Sequence, residues 1–224
     1  MSDEVYITSW GGNMQIGLKP GVRAKYFGHD WEAARFDAPL PPEEVFDAIR
    51  KVETASPLER HELPEAASVW NEKAFAKKKD LFAVGGFFAV KGKMAEILSG
   101  CDLGEGGLVP MPLYKDDLET PWPEPCWFIN FGGSKDCFLS AESKNLYLHG
   151  PSDRPEEDKF WSFHGSEEHE AIAVAPAALQ GADLWIERQL RGQIFMSGKL
   201  ARAVKAAKVK PTFPLQRVKI AGDA

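Results

Sequence analysis

The chain has 224 residues, and its 27 lysine and arginine residues against 33 aspartate and glutamate residues give a formal net charge of −6. Hydrophobic residues make up 44% and charged residues 27%, which is the balance of a globular chain rather than a disordered one, and the length allows a sizeable core. An acidic chain is a poor candidate for binding nucleic-acid phosphates and would attract a basic partner instead.

The beginning of the sequence is acidic and shows no secretory signal pattern. No apolar run reaches the roughly 18 residues that a membrane-spanning helix needs. The three cysteines, Cys101, Cys126 and Cys137, form no Cys-x-x-Cys pair, and an odd number of them favours reduced thiols. We therefore expect a cytoplasmic protein that contacts neither membrane nor nucleic acid. The sequence indicates no oligomeric state.

The first third of the chain predicts one strand and two helices. Residues 5–10 are apolar and aromatic and precede a glycine pair, which predicts an opening strand and its turn. Prolines and acids at 41–44 predict the start of a helix. A second helix is predicted beyond it, because Ala66, Val69 and Trp70 would share one face.

The middle of the chain predicts mainly strands. A glycine pair at 85–86 divides an apolar stretch into two strands, and a short helix is predicted at 93–98. Prolines at 108–113 favour an edge strand there. The most apolar segment, 125–140, predicts a buried strand, a turn at 132–134 and a second short strand.

The last third adds an alternation of short strands and one helix. Strands are predicted at 145–149, 160–164, 171–174, 184–186 and 194–197, with a helix following the last of them. Together these elements predict an α+β fold with a mixed or largely antiparallel sheet and helices packed on it. We expect residues 1–224 to form a single domain, with 1–80 as a mixed N-terminal portion and 81–224 as an α+β portion.

Two segments of the sequence resemble each other. Residues 92–98 and residues 198–204 each begin with glycine and lysine and continue with apolar residues at helical spacing. Each segment follows a short apolar strand. Each also precedes an x-Pro-Leu triplet, at 111–113 and at 213–215. This pattern predicts a duplicated strand–short helix–strand unit. The alternative is a chance likeness between small amphipathic helices.

Cys137 is the strongest candidate for chemistry, because a thiol with a base from His149 or His164 could act as a nucleophile. Its neighbours Phe138 and Leu139 are apolar, however, and a buried cysteine behaves mainly as a small hydrophobic residue. A small hydrolase or transferase that uses Cys137 with a histidine therefore stays as the alternative, and we assign no catalytic residue.

No metal or cofactor site is predicted from the sequence. His164 and His169 are five residues apart, so they would not share a helical face as the ligands of the common zinc motif do. The glycine pairs match neither the phosphate-binding loop nor the dinucleotide fingerprint. We expect these histidines to belong to a solvated acidic loop and the glycines to turns.

Acidic residues surround the aromatic strand predicted at 160–164. Aromatic side chains within a charged rim are typical of protein-binding surfaces, and acids there would steer a basic partner. The predicted partner-binding surface consists of Glu156, Glu157, Asp158, Trp161, Glu167, Glu168 and Glu170.

From Leu81 onward, the order of motifs resembles a family of bacterial immunity proteins, the immunity-protein-eleven type of polymorphic toxin systems. The resembling segments are 87–98, 127–130, Asp136-Cys137 before Ser140, 160–161, 184–185, 194–197 and the strand around Pro214. The resemblance implies an α+β fold and a protein that binds and neutralises a cognate toxin without catalysis. It implies no catalytic or cofactor-binding residues.

Overall fold

The computed structural model describes residues 4–18, 21–32, 40–76, 79–150, 159–163 and 169–222. The strands of this part are β1 (Val5–Thr8), β2 (Val22–Lys25), β3 (Ala66–Val69), β4 (Leu81–Val84), β5 (Phe87–Lys91), β6 (Gly107–Met111), β7 (Leu113–Tyr114), β8 (Cys126–Asn130), β9 (Leu146–His149), β10 (Phe160–Phe163), β11 (Ala173–Val174), β12 (Leu184–Trp185), β13 (Leu190–Arg191), β14 (Ile194–Ser197), β15 (Gln216–Arg217) and β16 (Lys219–Ile220). Its α-helices are α1 (Glu43–Glu53), α2 (Glu72–Phe75), α3 (Gly92–Ser99) and α4 (Gly198–Ala207). The predicted α+β class is confirmed.

Two four-stranded antiparallel sheets form the centre of the molecule. Sheet one has the order β4-β5-β8-β6, and sheet two has the order β12-β14-β1-β15. Smaller sheets, β2-β3-β7, β13-β10-β9 and β11-β16, surround them. Because β1 lies between β14 and β15, backbone hydrogen bonds join the portions 1–80 and 81–224. No helix of the described residues is long and apolar enough to cross a membrane.

Three core clusters lie on the faces of these two sheets. The first cluster includes Tyr26, Phe75, Phe82, Phe87 and Phe128. The second cluster includes Trp10, Val90, Met94, Ile129, Met196 and Leu200. The third cluster includes Ile7, Cys137, Phe163, Trp185, Leu190 and Phe195. The second cluster therefore takes side chains from both sheets and from α3 and α4, while the other two clusters cover the opposite faces of the sheets.

Strand β8 carries apolar residues on both of its faces, as its sequence predicts. Phe128 belongs to the first cluster, whereas Trp127 and Ile129 pack on the second, because successive side chains point to opposite faces. Phe128 is 0% exposed, but Trp127 is only half-buried. Beyond the glycine turn, the predicted second strand is reduced to one bridge between Phe138 and Val174.

The helix predicted around Ala66 is wrong. Residues Ala66–Val69 form β3, which pairs with β2 on one side and β7 on the other. All four residues are buried, so both faces of the strand are covered. An amphipathic helix would instead have one buried and one exposed side. A helical turn follows only at Glu72–Phe75, where the Asn71 side chain accepts a hydrogen bond from the Ala74 amide. Tertiary pairing thus overrides the local pattern.

The two sheets are built from equivalent elements. In sheet one β5 leads directly into α3, and in sheet two β14 leads directly into α4. Val90 pairs with Trp127, and Met196 pairs with Tyr6. Since Val90 and Met196 both stand two residues before the helical glycine, Trp127 corresponds to Tyr6. The same register aligns residues 126–133 with residues 5–12, and both segments end in a glycine pair.

Reciprocal hydrogen bonds connect the two copies. The Asp80 amide donates to the Lys210 carbonyl at 2.6 Å, and the Lys210 amide donates to Asp80 Oδ2 at 2.8 Å. Likewise, the Asp183 amide donates to the Asp102 carbonyl at 2.6 Å, and the Asp102 amide donates to Asp183 Oδ2 at 3.0 Å. Each copy thus binds the segment after the helix of the other, as an approximate twofold relation requires.

The duplication differs from the predicted one in its last strand. Pro110 pairs with Trp127 and Arg217 pairs with Tyr6, so Pro110 corresponds to Arg217 and the two x-Pro-Leu triplets are not equivalent. Their likeness is accidental, whereas the likeness of the helices is structural. The copy in sheet two takes its central strand, β1, from the beginning of the chain rather than from a segment after α4.

Candidate functional site

The thiol of Cys137 is buried, as predicted, and its partner is a carboxylate. Cys137 is 3% exposed, and its Sγ donates a hydrogen bond to Glu187 Oε1 at 3.1 Å. Burial, reinforced by the neighbouring Glu187, raises the pKa of the Cys137 thiol well above its usual range. The thiol is therefore protonated at neutral pH, which is the opposite of what a nucleophile needs.

Glu187 organises the segment around this thiol. It is 1% exposed and also accepts hydrogen bonds from Trp185 Nε1 at 2.9 Å, from Ser134 Oγ at 3.2 Å and from the Cys137 amide at 3.2 Å. A buried carboxylate is tolerated only where such donors replace its hydration. The network therefore fixes the turn after β8 to the end of β12.

Lys135 packs over the same region. Its Nζ lies 3.6 Å from the centre of the Trp185 ring and donates to the Ala178 carbonyl at 2.9 Å. Burial lowers the pKa of Lys135. The side chain thus covers the tryptophan that holds Glu187, and the arrangement is that of a structural anchor.

Two of the described histidines, His149 and His169, are engaged elsewhere. His149 Nε2 shares a hydrogen bond of 2.8 Å with Ser162 Oγ, and His169 Nδ1 accepts one of 3.0 Å from the Arg217 amide. Neither makes a hydrogen bond to Cys137 within the part of the chain that the structure describes, and His164 lies outside that part. The described residues also contain no group of three metal-ligating side chains.

The thiols provide a direct test of this packing. We expect iodoacetamide to modify Cys137 and Cys126 only in the unfolded protein, because both are buried and burial raises the pKa of Cys126 to about 12. Mass spectrometry of the native and the guanidinium-denatured protein would count the adducts, with half-buried Cys101 as the internal reference. Rapid modification of native Cys137 would contradict the buried assignment.

The predicted partner-binding residues are only partly described. Glu156, Glu157, Asp158, Glu167 and Glu168 lie outside the described residues. Glu170 is exposed and forms an ion pair with Arg217 at 2.6 Å. Trp161 is half-buried and packs on the third cluster, so its ring faces the core side of β10.

The opposite face of the same small sheet is aromatic and partly exposed. We define the aromatic face as Tyr147, His149, Phe160 and Arg191. His149 stacks on Phe160 with the ring centres 4.9 Å apart and the planes 9° apart, and Tyr147 meets the edge of His149 at 4.8 Å. The Arg191 guanidinium lies 3.8 Å from the centre of the Phe160 ring. Tyr147 is 58% exposed.

Cross-strand pairing produces this face. Phe160 lies opposite His149, and Ser162 lies opposite Tyr147 on β9 and Arg191 on β13. Alternation therefore places these side chains together on one side of the sheet, while Phe163 and Leu190 fill the core on the other. This face could not be predicted from the sequence, because it depends on the pairing of three strands that are separate in sequence.

No protein-family model matches the chain, and a search of curated proteins finds no significant match.

Proposed function

We propose that the protein is an immunity protein that binds and neutralises a cognate toxin in the cytoplasm by direct contact, and that the aromatic face is part of the contact. The observation that carries the proposal is the stack of Tyr147, His149, Phe160 and Arg191, in which Tyr147 is exposed and the other three side chains are half-buried. Tyrosine and arginine are enriched among the residues that dominate binding energies. Resemblance to the immunity-protein-eleven type supports the same function.

The stack is held in place before any partner arrives. Arg191 is fixed over Phe160 and its Nη1 lies 3.8 Å from Glu53 Oε2. His149 is fixed by its hydrogen bond to Ser162. Because side chains that are already ordered lose less entropy on binding, such a surface favours affinity.

Charge favours a basic toxin. The net charge of −6 and the predicted acidic segments at 156–158 and 167–170, which flank β10 in sequence, would raise the rate of encounter with a cationic domain. The alternative, a hydrolase or transferase that uses Cys137 and a histidine, has less support, because the thiol is buried and hydrogen-bonded to Glu187.

A binding experiment with a cognate toxin, sought among the products of the genes that neighbour this one, would test the proposal. We expect Tyr147→Ala to weaken binding by at least about tenfold, as truncation of a central aromatic contact commonly does, and to reduce protection of cells that express the toxin. Trp70→Ala is the matched control, since Trp70 is an exposed aromatic residue, 39% accessible, outside the aromatic face.

Both variants should keep the stability of the parent protein within about 0.5 kcal/mol, because both change the surface. Equal affinities of the two variants for the toxin would show that the aromatic face is not part of the contact. Failure of the parent protein both to bind the toxin and to protect the cells would overturn the proposed function itself.

A further inference from the structure

A groove of about 270 Å³ lies between helix α3 and the beginning of strand β8. The helix contributes the small residues Gly92, Ala95 and Ser99, and the strand contributes the half-buried Trp127. Two carboxylates also line the groove, Glu96 from the helix and Glu124 from the segment before the strand. The groove thus combines an indole ring, small neighbours and negative charge.

The equivalent place in the other copy is occupied by the chain's own cations. The register of the two copies aligns Ser99 with Lys205, Glu96 with Arg202 and Trp127 with Tyr6. There, Lys205 Nζ lies 5.1 Å from the centre of the Tyr6 ring.

The second cation of that copy is also paired. Arg202 Nη1 lies 3.6 Å from Glu4 Oε2, and the Tyr6 hydroxyl donates to the same carboxylate at 3.2 Å. In this copy, helix α4 therefore places Lys205 over the Tyr6 ring and pairs Arg202 with the Glu4 carboxylate.

The groove beside α3 has an aromatic ring at the equivalent position, and a carboxylate, Glu96, where the other copy has Arg202. Among the described residues, no lysine or arginine lies over the face of Trp127. The negative charge of Glu124 is balanced by its ion pair with Lys91. The exposed carboxylate of Glu96 therefore gives the groove a net negative charge. An indole attracts a cation more strongly than a phenol ring does, so one positive charge complements this groove.

We propose that this groove binds one arginine side chain of a partner polypeptide, with the guanidinium stacked on Trp127 and hydrogen-bonded to Glu96. Arginine fits better than lysine, because its planar guanidinium can stack on an aromatic ring and at the same time donate to a carboxylate in a forked geometry. The proposal does not depend on the identity of the partner and stands apart from the aromatic face.

A peptide titration would test the site without any toxin. The probe is acetyl-Gly-Arg-Gly-amide, added to ¹⁵N-labelled protein while the Trp127 indole N–H and the Ser99 amide are followed by NMR. We expect saturable shifts confined to this groove. The same peptide with citrulline, a neutral analogue of arginine, should bind about tenfold more weakly, because the cation–π attraction and the charge on the hydrogen bond are lost.

Exchanging one residue between the copies provides the decisive variant. Ser99→Lys would place an internal ammonium over Trp127, as Lys205 lies over Tyr6, and we expect it to weaken arginine-peptide binding by at least about tenfold. Lys205→Ser is the matched control and should leave binding at Trp127 unchanged. Both positions are exposed on their helices, and the dispersion of each spectrum would confirm folding.

Three outcomes would overturn the proposal. They are shifts at Trp127 that do not saturate, equal binding of the citrulline peptide, and undiminished binding to the Ser99→Lys variant. In a separate titration with acetyl-Gly-Lys-Gly-amide, tighter binding than that of the arginine peptide would contradict the assignment to arginine. Because no toxin enters the assay, none of these results depends on the proposed immunity function.

Discussion

Phe128→Ala should lower the free energy of unfolding by about 3–5 kcal/mol, the range for truncating a fully buried phenylalanine. Phe128 is 0% exposed in the middle of β8, between the neighbouring strands β5 and β6, and its ring lies 6.4 Å from that of Phe87. The truncation removes transfer free energy and leaves a cavity in the first cluster that the two flanking strands cannot close. Chemical denaturation followed by tryptophan fluorescence or circular dichroism would measure the change.

Trp127→Ala is the matched control on the same strand. Trp127 is half-buried and lines the groove beside α3. Its truncation therefore mainly widens a groove that is already open to solvent, and leaves a smaller closed cavity than the truncation of Phe128 does. We expect a smaller loss than for Phe128→Ala, although tryptophan is the larger side chain. A greater loss for Trp127→Ala would show that the burial of the two faces of β8 is assigned the wrong way round.

Gly132→Ala should destabilise the protein by about 3 kcal/mol or more, at or above the upper end of the usual cost of overpacking. A Cβ atom at this position would lie 1.9 Å from the Gly106 amide nitrogen and 2.3 Å from the Leu103 carbonyl oxygen. These are backbone atoms, so no side-chain rotation relieves the clash. The loop after α3 passes close to Gly132 and is hydrogen-bonded to it: the Glu105 amide donates to the Gly132 carbonyl at 3.1 Å.

The duplication supplies the control for this substitution. Gly11 occupies the position in sheet two that Gly132 occupies in sheet one, yet a Cβ atom on Gly11 would meet nothing within 4 Å. Gly11→Ala should therefore change the unfolding free energy by less than about 0.5 kcal/mol. Similar denaturation midpoints for both variants would mean that the loop after α3 does not approach Gly132 as closely as described.

Short apolar segments bounded by glycine and proline could be predicted well from the sequence. The hairpin of β4 and β5, the helix after it and the central strand β8 appear close to their predicted positions, because turn residues and alternation are local signals. The segment at Ala66 could not be predicted in the same way. Its residues suit either a helix or a strand, and only the pairing with β2 and β7 decides between them.

The site was less accessible from the sequence than the fold. The burial of Cys137 follows from Phe138 and Leu139, which are its immediate neighbours. Its hydrogen bond to Glu187, in contrast, joins residues 50 positions apart, and a single acid after a short strand carries no sequence signal. The aromatic face likewise depends on the register of β9 and β10.

The order of the strands has a consequence for how this chain is made. The strands and helix of sheet one lie within residues 81–130, so that sheet can assemble while the ribosome is still synthesising the rest of the polypeptide. Strand β1 is synthesised before any strand of sheet one, but Thr8 pairs with Ile194 and Tyr6 with Arg217. Its apolar side chains therefore stay without these partners until β14 and β15 have been synthesised, which makes the closure of sheet two a long-range step that follows the assembly of sheet one.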